Sequence, residues 1–155
     1  MQHDAFINDE VTQLCRLNDT TLTAPIAPEK WSIKEIIGHM YYWDGYLCEH
    51  VLPYIEESVS LPEFPSHDEF NQKAMEKIQR RSPKEVLQQF LRQRRKLITA
   101  FSKHPDSLVF TIREGLEDVP YTIQQLRHDF LEHDEHHLLQ IRQFLSDRSV
   151  DSPNS

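Results

Sequence analysis

The sequence predicts an all-α four-helix bundle, and three observations carry that expectation. Only 3 of 155 residues are glycine, and the hydrophobic segments are rich in Leu, Ile, Glu, Gln, Lys and Arg, which favour helices. Apolar residues recur at helical spacing in four long segments. Ser- or Thr-led helix starts stand before three of them. The length fits one domain that buries a core of its own. We expect that domain over 1–147, followed by a flexible tail over 148–155.

The first helix is expected from about Asp4 to Leu17, carrying Phe6, Val11, Leu14 and Leu17. Asp19, Thr20, Pro25 and Pro28 break the pattern. The second begins at Ser32, where Glu35 three residues on completes a capping box and Trp31 precedes it as a hydrophobic staple for Ile36. It is expected to run to about Pro53 or a turn beyond, with a kink at Pro53. Leu61 to Ser66 reads as a loop. Ser66 to Glu69 reads as a further capping box opening a short helix to about Arg80. Ser82-Pro83-Lys84-Glu85 starts the third main helix with proline at its first position; it carries Val86, Phe90, Leu91, Leu97 and Phe101 and stops near His104-Pro105. Val109 to Ile112 are β-branched or aromatic, and Gly115 and Pro120 follow. Residues 106–121 therefore read as a long connection with a short hairpin. Thr122 caps the last helix, which is expected to end near Asp147.

With 17 basic and 25 acidic residues the formal charge is −8. That balance argues against nucleic acid or an anionic membrane as partner, and no apolar run reaches the ~20 residues of a membrane span. Arg92, Arg94, Arg95 and Lys96 read as a solvated helix face. Cys15 and Cys48 form no CxxC motif and no disulfide framework, and the first ten residues hold no apolar signal segment. A cytoplasmic location is the expectation. Both cysteines read as small hydrophobes rather than nucleophiles.

Nine histidines are present. His3, His50, His67, His104 and His128 read as surface residues. The run His133-Asp134-Glu135-His136-His137 lies inside the last helix. There His133 and His137 interrupt a stripe made by Leu126, Phe130, Ile141 and Phe144, while His136 falls on the flank. Two histidines four apart stack about 5–6 Å apart between Cβ atoms, close enough to share an ion bound at about 2.0–2.1 Å. A third ligand must come from upstream. His39 borders the apolar stripe of the second helix, and Gly38 beside it allows another helix to approach. Three protein ligands leave an open position, the mark of a catalytic metal site. A zincin motif is absent, since Asp134 follows His133 where glutamate is needed. A di-iron site is a poor match, because Glu132 and Glu135 do not stand three before either histidine.

The segment Lys30-Trp31-Ser32-Ile33-Lys34-Glu35-Ile36-Ile37-Gly38-His39-Met40, together with His133-Asp134-Glu135-His136-His137-Leu138-Leu139-Gln140-Ile141, resembles the DinB-like (YfiT-like) superfamily. The resemblance spans the chain from its first helix to about Leu145. It implies an up-down-down-up bundle with a long crossover and a divalent metal, nickel or zinc, held by His39, His133 and His137. It also implies a homodimer acting on a small-molecule substrate. Some relatives are S-transferases that use a low-molecular-weight thiol such as bacillithiol or mycothiol, and others are metal-dependent hydrolases. Thiol S-transfer is the first expectation, with Arg92, Arg94, Arg95 or Arg142 offered to the carboxylates of the thiol. A hydrolase is the second, with Asp44, Glu132 or Asp134 as general base. A non-catalytic metal-binding protein is the third.

Overall fold

A computed structural model describes residues 2–56 and 60–151 of the chain. Six α-helices form its frame: α1 (Gln2–Leu14), α2 (Asp19–Thr23), α3 (Ile33–Tyr46), α4 (His67–Ile78), α5 (Pro83–Ser102) and α6 (Ile123–Asp151). Three strands stand beside them, β1 (Ser60–Leu61), β2 (Val109–Glu114) and β3 (Glu117–Thr122). The fold is therefore mainly helical but not all-α.

Local chemistry accounts for the helix starts. At both Ser32 and Ser82 the hydroxyl accepts from the backbone N–H three residues on, and the glutamate there accepts from the serine N–H. Thr122 and Gln125 make the same reciprocal pair ahead of α6. Ser66 differs from its expected box, for its side chain makes no capping bond. The C-terminal end of α3 changes pitch. Leu47–Val51 forms a π turn and Leu52–Tyr54 a 3₁₀ turn. Pro53 has no N–H to give, so regular α-helical bonding cannot continue through it. The His104 ring nitrogen donates to the Leu52 carbonyl at 2.9 Å and satisfies one group left over there, so this histidine is more than a surface residue. Helix α6 continues to Asp151, four residues beyond its expected end, and residues 152–155 of the expected tail lie outside the described residues.

The hairpin of β2 and β3 pairs Val109 with Thr122 through Glu114 with Glu117. Gly115, at φ 61°, takes the first central position of its turn, which favours glycine for want of a Cβ. Pro120 is tolerated because β3 is an edge strand of the β1-β2-β3 sheet. Strand β1, whose Leu61 was expected to open a loop, pairs parallel with β2 through Ser60 and Leu61.

Two main apolar clusters fill the interior. One joins Ile7, Val11, Leu22, Ile36, Ile37, Phe90, Leu138 and Ile141 from five helices. The other joins Leu47, Leu52, Leu97, Phe101, Phe110, Ile112 and Leu126, seating the hairpin on the bundle. A third, smaller cluster holds α4 in place through Ala74, Ile78 and Val86. At Gly38 the contact between α3 and α4 is tight. A Cβ there would stand 2.7 Å from Ile78 Cγ1, so glycine is what lets α4 come this close to the helix that carries His39.

Candidate metal centre

His39 lies on α3, and His133 and His137 lie one turn apart on α6. The fold brings all three together. His39 Nε2 stands 3.2 Å from His133 Nε2, and His137 Nε2 stands 3.2 Å from the same atom. Among the described residues these three are the one group of histidine, cysteine or carboxylate side chains placed to hold a metal ion. His39 is buried, His137 half-buried and His133 exposed. His136 is exposed on the flank, as expected.

The δ nitrogens point away from this focus and are held there. His39 Nδ1 lies 3.0 Å from Asn71 Oδ1 of α4. The same oxygen receives the Trp43 indole N–H at 3.0 Å. An indole nitrogen only donates, so the Asn71 atom is its oxygen, and the proton of His39 must sit on Nδ1. Its Nε2 then offers a lone pair to the focus. His137 Nδ1 lies 3.2 Å from Gln140 Oε1. Trp31 covers the group, its ring centre 4.9 Å from that of His39 and 6.4 Å from that of His137.

Electrostatics favours neutral imidazoles. Burial, with His137 and His133 adding to it, lowers His39 to about 3. Burial and then His133 lower His137 to about 4. Neutral imidazole is the form that ligates metals. Three Nε2 atoms in contact cannot satisfy one another. His39 brings no proton to the focus, and His133 can supply a proton to one neighbour only. At least one close nitrogen pair therefore lacks a hydrogen, and a cation relieves that repulsion. The spacing fits as well, since nitrogens on one tetrahedral ion at about 2.0–2.1 Å stand ~3.3 Å apart.

A cavity of about 590 Å³ opens in front of His39 and His133. Trp43, Phe64 and Phe130 give it apolar walls, and Glu63, Glu114 and Asp129 bring carboxylates to it. Arg113 is the arginine of the lining, and it is engaged with Asp118 at 3.4 Å and with the Gly115 carbonyl at 3.1 Å. The Tyr121 hydroxyl, another lining group, donates to Glu114, and that carboxylate together with burial raises it to about 12. His67 also lines the cavity, its ring 5.1 Å from Trp43. A smaller cavity of about 270 Å³ reaches His137 and Gln140 from another side.

Several sequence expectations are corrected here. Arg94 is not on a solvated face: it is 1% exposed and bound to Asp44 and Asp134. That removes it as a thiol-binding cation, and it commits Asp44 and Asp134 to an ion-paired bridge instead of general-base duty. Glu132 pairs with His128 at 3.2 Å and does not line the cavity. Arg142 is engaged with Glu10 and Glu135. Arg92 and Arg95 do not line the cavity either. Burial raises the thiols of Cys15 and Cys48, which suits packing better than nucleophilic attack. Asn71 and Asp129 join the site without a motif of their own; the position four before His133 on the same helix is the one sequence signal for Asp129.

Fold and site together define a helical protein with a preorganised three-histidine focus, two of whose histidines line a cavity. The DinB superfamily model matches residues 8–141, and the chain belongs to that superfamily. Among solved structures it is similar to YfiT from Bacillus subtilis, with a TM-score of 0.70 and 15% identity over 96% of this chain and 85% of that one. YfiT is described as a "probable metal-dependent hydrolase with an unusual four-helix bundle topology". No curated protein matches the sequence. No helix among the described residues is long and apolar enough to cross a membrane.

Proposed function

We propose that this chain is a metal-dependent hydrolase of a small molecule, with His39, His133 and His137 as ligands of a zinc or nickel ion. The observation that carries the reading is the meeting of three Nε2 atoms, two of them from histidines that line a 590 Å³ cavity. Three imidazoles suit either metal. When bound, such an ion supplies Lewis acidity that polarises a carbonyl and eases deprotonation of water.

The chain's own groups do the rest. Asn71 and Gln140 hold the δ nitrogens of His39 and His137, so the ε nitrogens keep their aim. Asp129 lies one turn before His133 and lines the cavity, placed to accept a proton from water. Trp43, Phe64 and Phe130 receive an apolar body and exclude solvent around it. Hydrolysis is favoured over thiol transfer by the charge of the lining. Glu63, Glu114 and Asp129 face one arginine that is already engaged, a poor setting for a thiol bearing several carboxylates. The description of YfiT as a hydrolase agrees with this choice.

The test is a panel of small esters, amides and lactones offered to zinc- and nickel-loaded protein, with chelated protein and His133→Ala as controls. Turnover that disappears in both controls is expected. Metal-dependent consumption of bacillithiol or mycothiol with an electrophile, and no hydrolysis, would replace this reading with S-transfer. No turnover of either kind would leave a metal-binding protein without catalysis.

A further inference from the structure

Arg94 of α5 lies between two carboxylates that come from different helices. Its Nε donates to Asp44 Oδ2 at 2.7 Å and its Nη2 to Asp44 Oδ1 at 3.0 Å, a two-point bond to α3. The same Nη2 stands 2.7 Å from Asp134 Oδ2 on α6. Asp44 and Arg94 are each 1% exposed, and Asp134 is 2% exposed. The two helices bridged here are those that carry the histidines. Asp44 follows His39 on α3 by little more than one turn, and Asp134 is the immediate neighbour of His133 on α6. The other carboxylate oxygen of Asp134, Oδ1, lies 3.8 Å from His133 Nδ1.

We infer that Asp134, fixed by Arg94, is the positioning residue of His133, and that the Asp44–Arg94–Asp134 bridge adjusts the affinity of the three-histidine site for a divalent cation. The inference rests on the metal-site reading above and goes beyond it. Each histidine of the site now has a group beside its δ nitrogen: Asn71 for His39, Gln140 for His137 and Asp134 for His133. Asp134 alone of these is a carboxylate. At 3.8 Å it acts through its field rather than through a hydrogen bond. Groups behind metal-bound imidazoles orient the rings and raise their basicity.

Stability by itself accounts poorly for such a bridge. Removing three ionic groups from water is costly, and apolar residues of similar volume often do as well or better. The charge of the bridge also has a direction. Two carboxylates share one guanidinium, which leaves a formal excess of one negative charge beside His133. A divalent cation at the Nε2 focus is favoured by that excess, and a neutral occupant gains nothing from it.

The test is a Co²⁺ titration of chelator-washed protein, followed by visible absorbance, on wild type, Asp134→Asn and Asp44→Asn. Thermal melts of the three metal-free proteins run alongside. Asp134→Asn should weaken Co²⁺ binding by about tenfold or more. Asp44→Asn removes the same formal charge at the far end of the bridge but keeps the carboxylate beside His133, so it should lower the melting temperature and weaken Co²⁺ binding clearly less than Asp134→Asn does. Should either variant be largely unfolded, all three are measured in trimethylamine N-oxide, which favours the folded state. Wild-type affinity in Asp134→Asn, or equal weakening in both variants, would overturn the inference and reduce the bridge to a fold element. Wild type that binds no Co²⁺ would instead remove the metal-site reading itself.

Discussion

Trp43 and His39 share one acceptor. The indole N–H and the imidazole Nδ1–H both end on Asn71 Oδ1, each at 3.0 Å. Asn71 belongs to α4, a helix outside the pair that carries the histidines. Its orientation is set by a donor that cannot reverse its role, and it in turn sets which nitrogen of His39 faces the cavity.

Asn71→Ala should therefore release the His39 ring and lower affinity for Zn²⁺ by about 10–100-fold. A competition titration with a chromophoric chelator reads this directly. Circular dichroism should show the helical fold retained, because Asn71 is not among the buried core residues.

Gly38→Ala tests the close approach of α3 and α4. The added Cβ would stand 2.7 Å from Ile78 Cγ1 and closer still to its Cδ1. Overpacking of this kind costs about 1–3 kcal/mol. It should also move Asn71 relative to His39, so urea stability and Zn²⁺ affinity should fall together. Gly45→Ala is the internal control. Nothing lies within 4 Å of its Cβ position on the same helix, and alanine there should stabilise by roughly 0.5–1 kcal/mol.

Acid should destabilise the metal-free protein through the same histidines. The folded-state values of His39 and His137, about 3 and about 4, lie below the 6.5 of a free imidazole. Between those values and 6.5 the unfolded chain binds more protons than the folded one, so stability rises with pH across that window. The contribution is complete above about pH 6.5 and is lost as pH falls towards 4. Melting temperatures of chelated protein from pH 4 to 8 should rise and then flatten, and His39→Gln should make the rise shallower.

Arg94→Met leaves Asp44 and Asp134 buried without the guanidinium between them. Breaking a buried ion pair from one side costs about 3–5 kcal/mol. That should be visible as a large shift of the urea midpoint. The adjacent Arg95→Met, on an exposed position of α5, should change stability by no more than about 0.5 kcal/mol.

The contrast between Arg94 and Arg95 also shows what could be read before the structure. Helix starts at Ser32, Ser82 and Thr122 were legible because a hydroxyl cap is a local pattern, although the box expected at Ser66 does not form. The hairpin was legible from β-branched residues around Gly115. His39, His133 and His137 stood out because imidazoles on an apolar stripe need partners. Burial of Arg94 was not legible. A run of basic residues looks solvated unless Asp44 and Asp134, 50 and 40 positions away, are known to meet it. The α6 stripe was shifted for the same reason. Asp134 and Leu138 are buried on it together with Leu126 and Ile141, whereas His133 faces the cavity. Asn71 gave no signal, since a lone asparagine in a polar helix has no period to betray it.

The most direct measurement is the metal content of untagged protein, purified without metal resin and analysed by inductively coupled plasma mass spectrometry beside His133→Ala and His39→Ala. One zinc or nickel ion per wild-type chain is expected, with a marked loss in both variants and the helical fold intact. Wild-type protein that carries no divalent ion and takes none up from micromolar zinc would contradict this expectation.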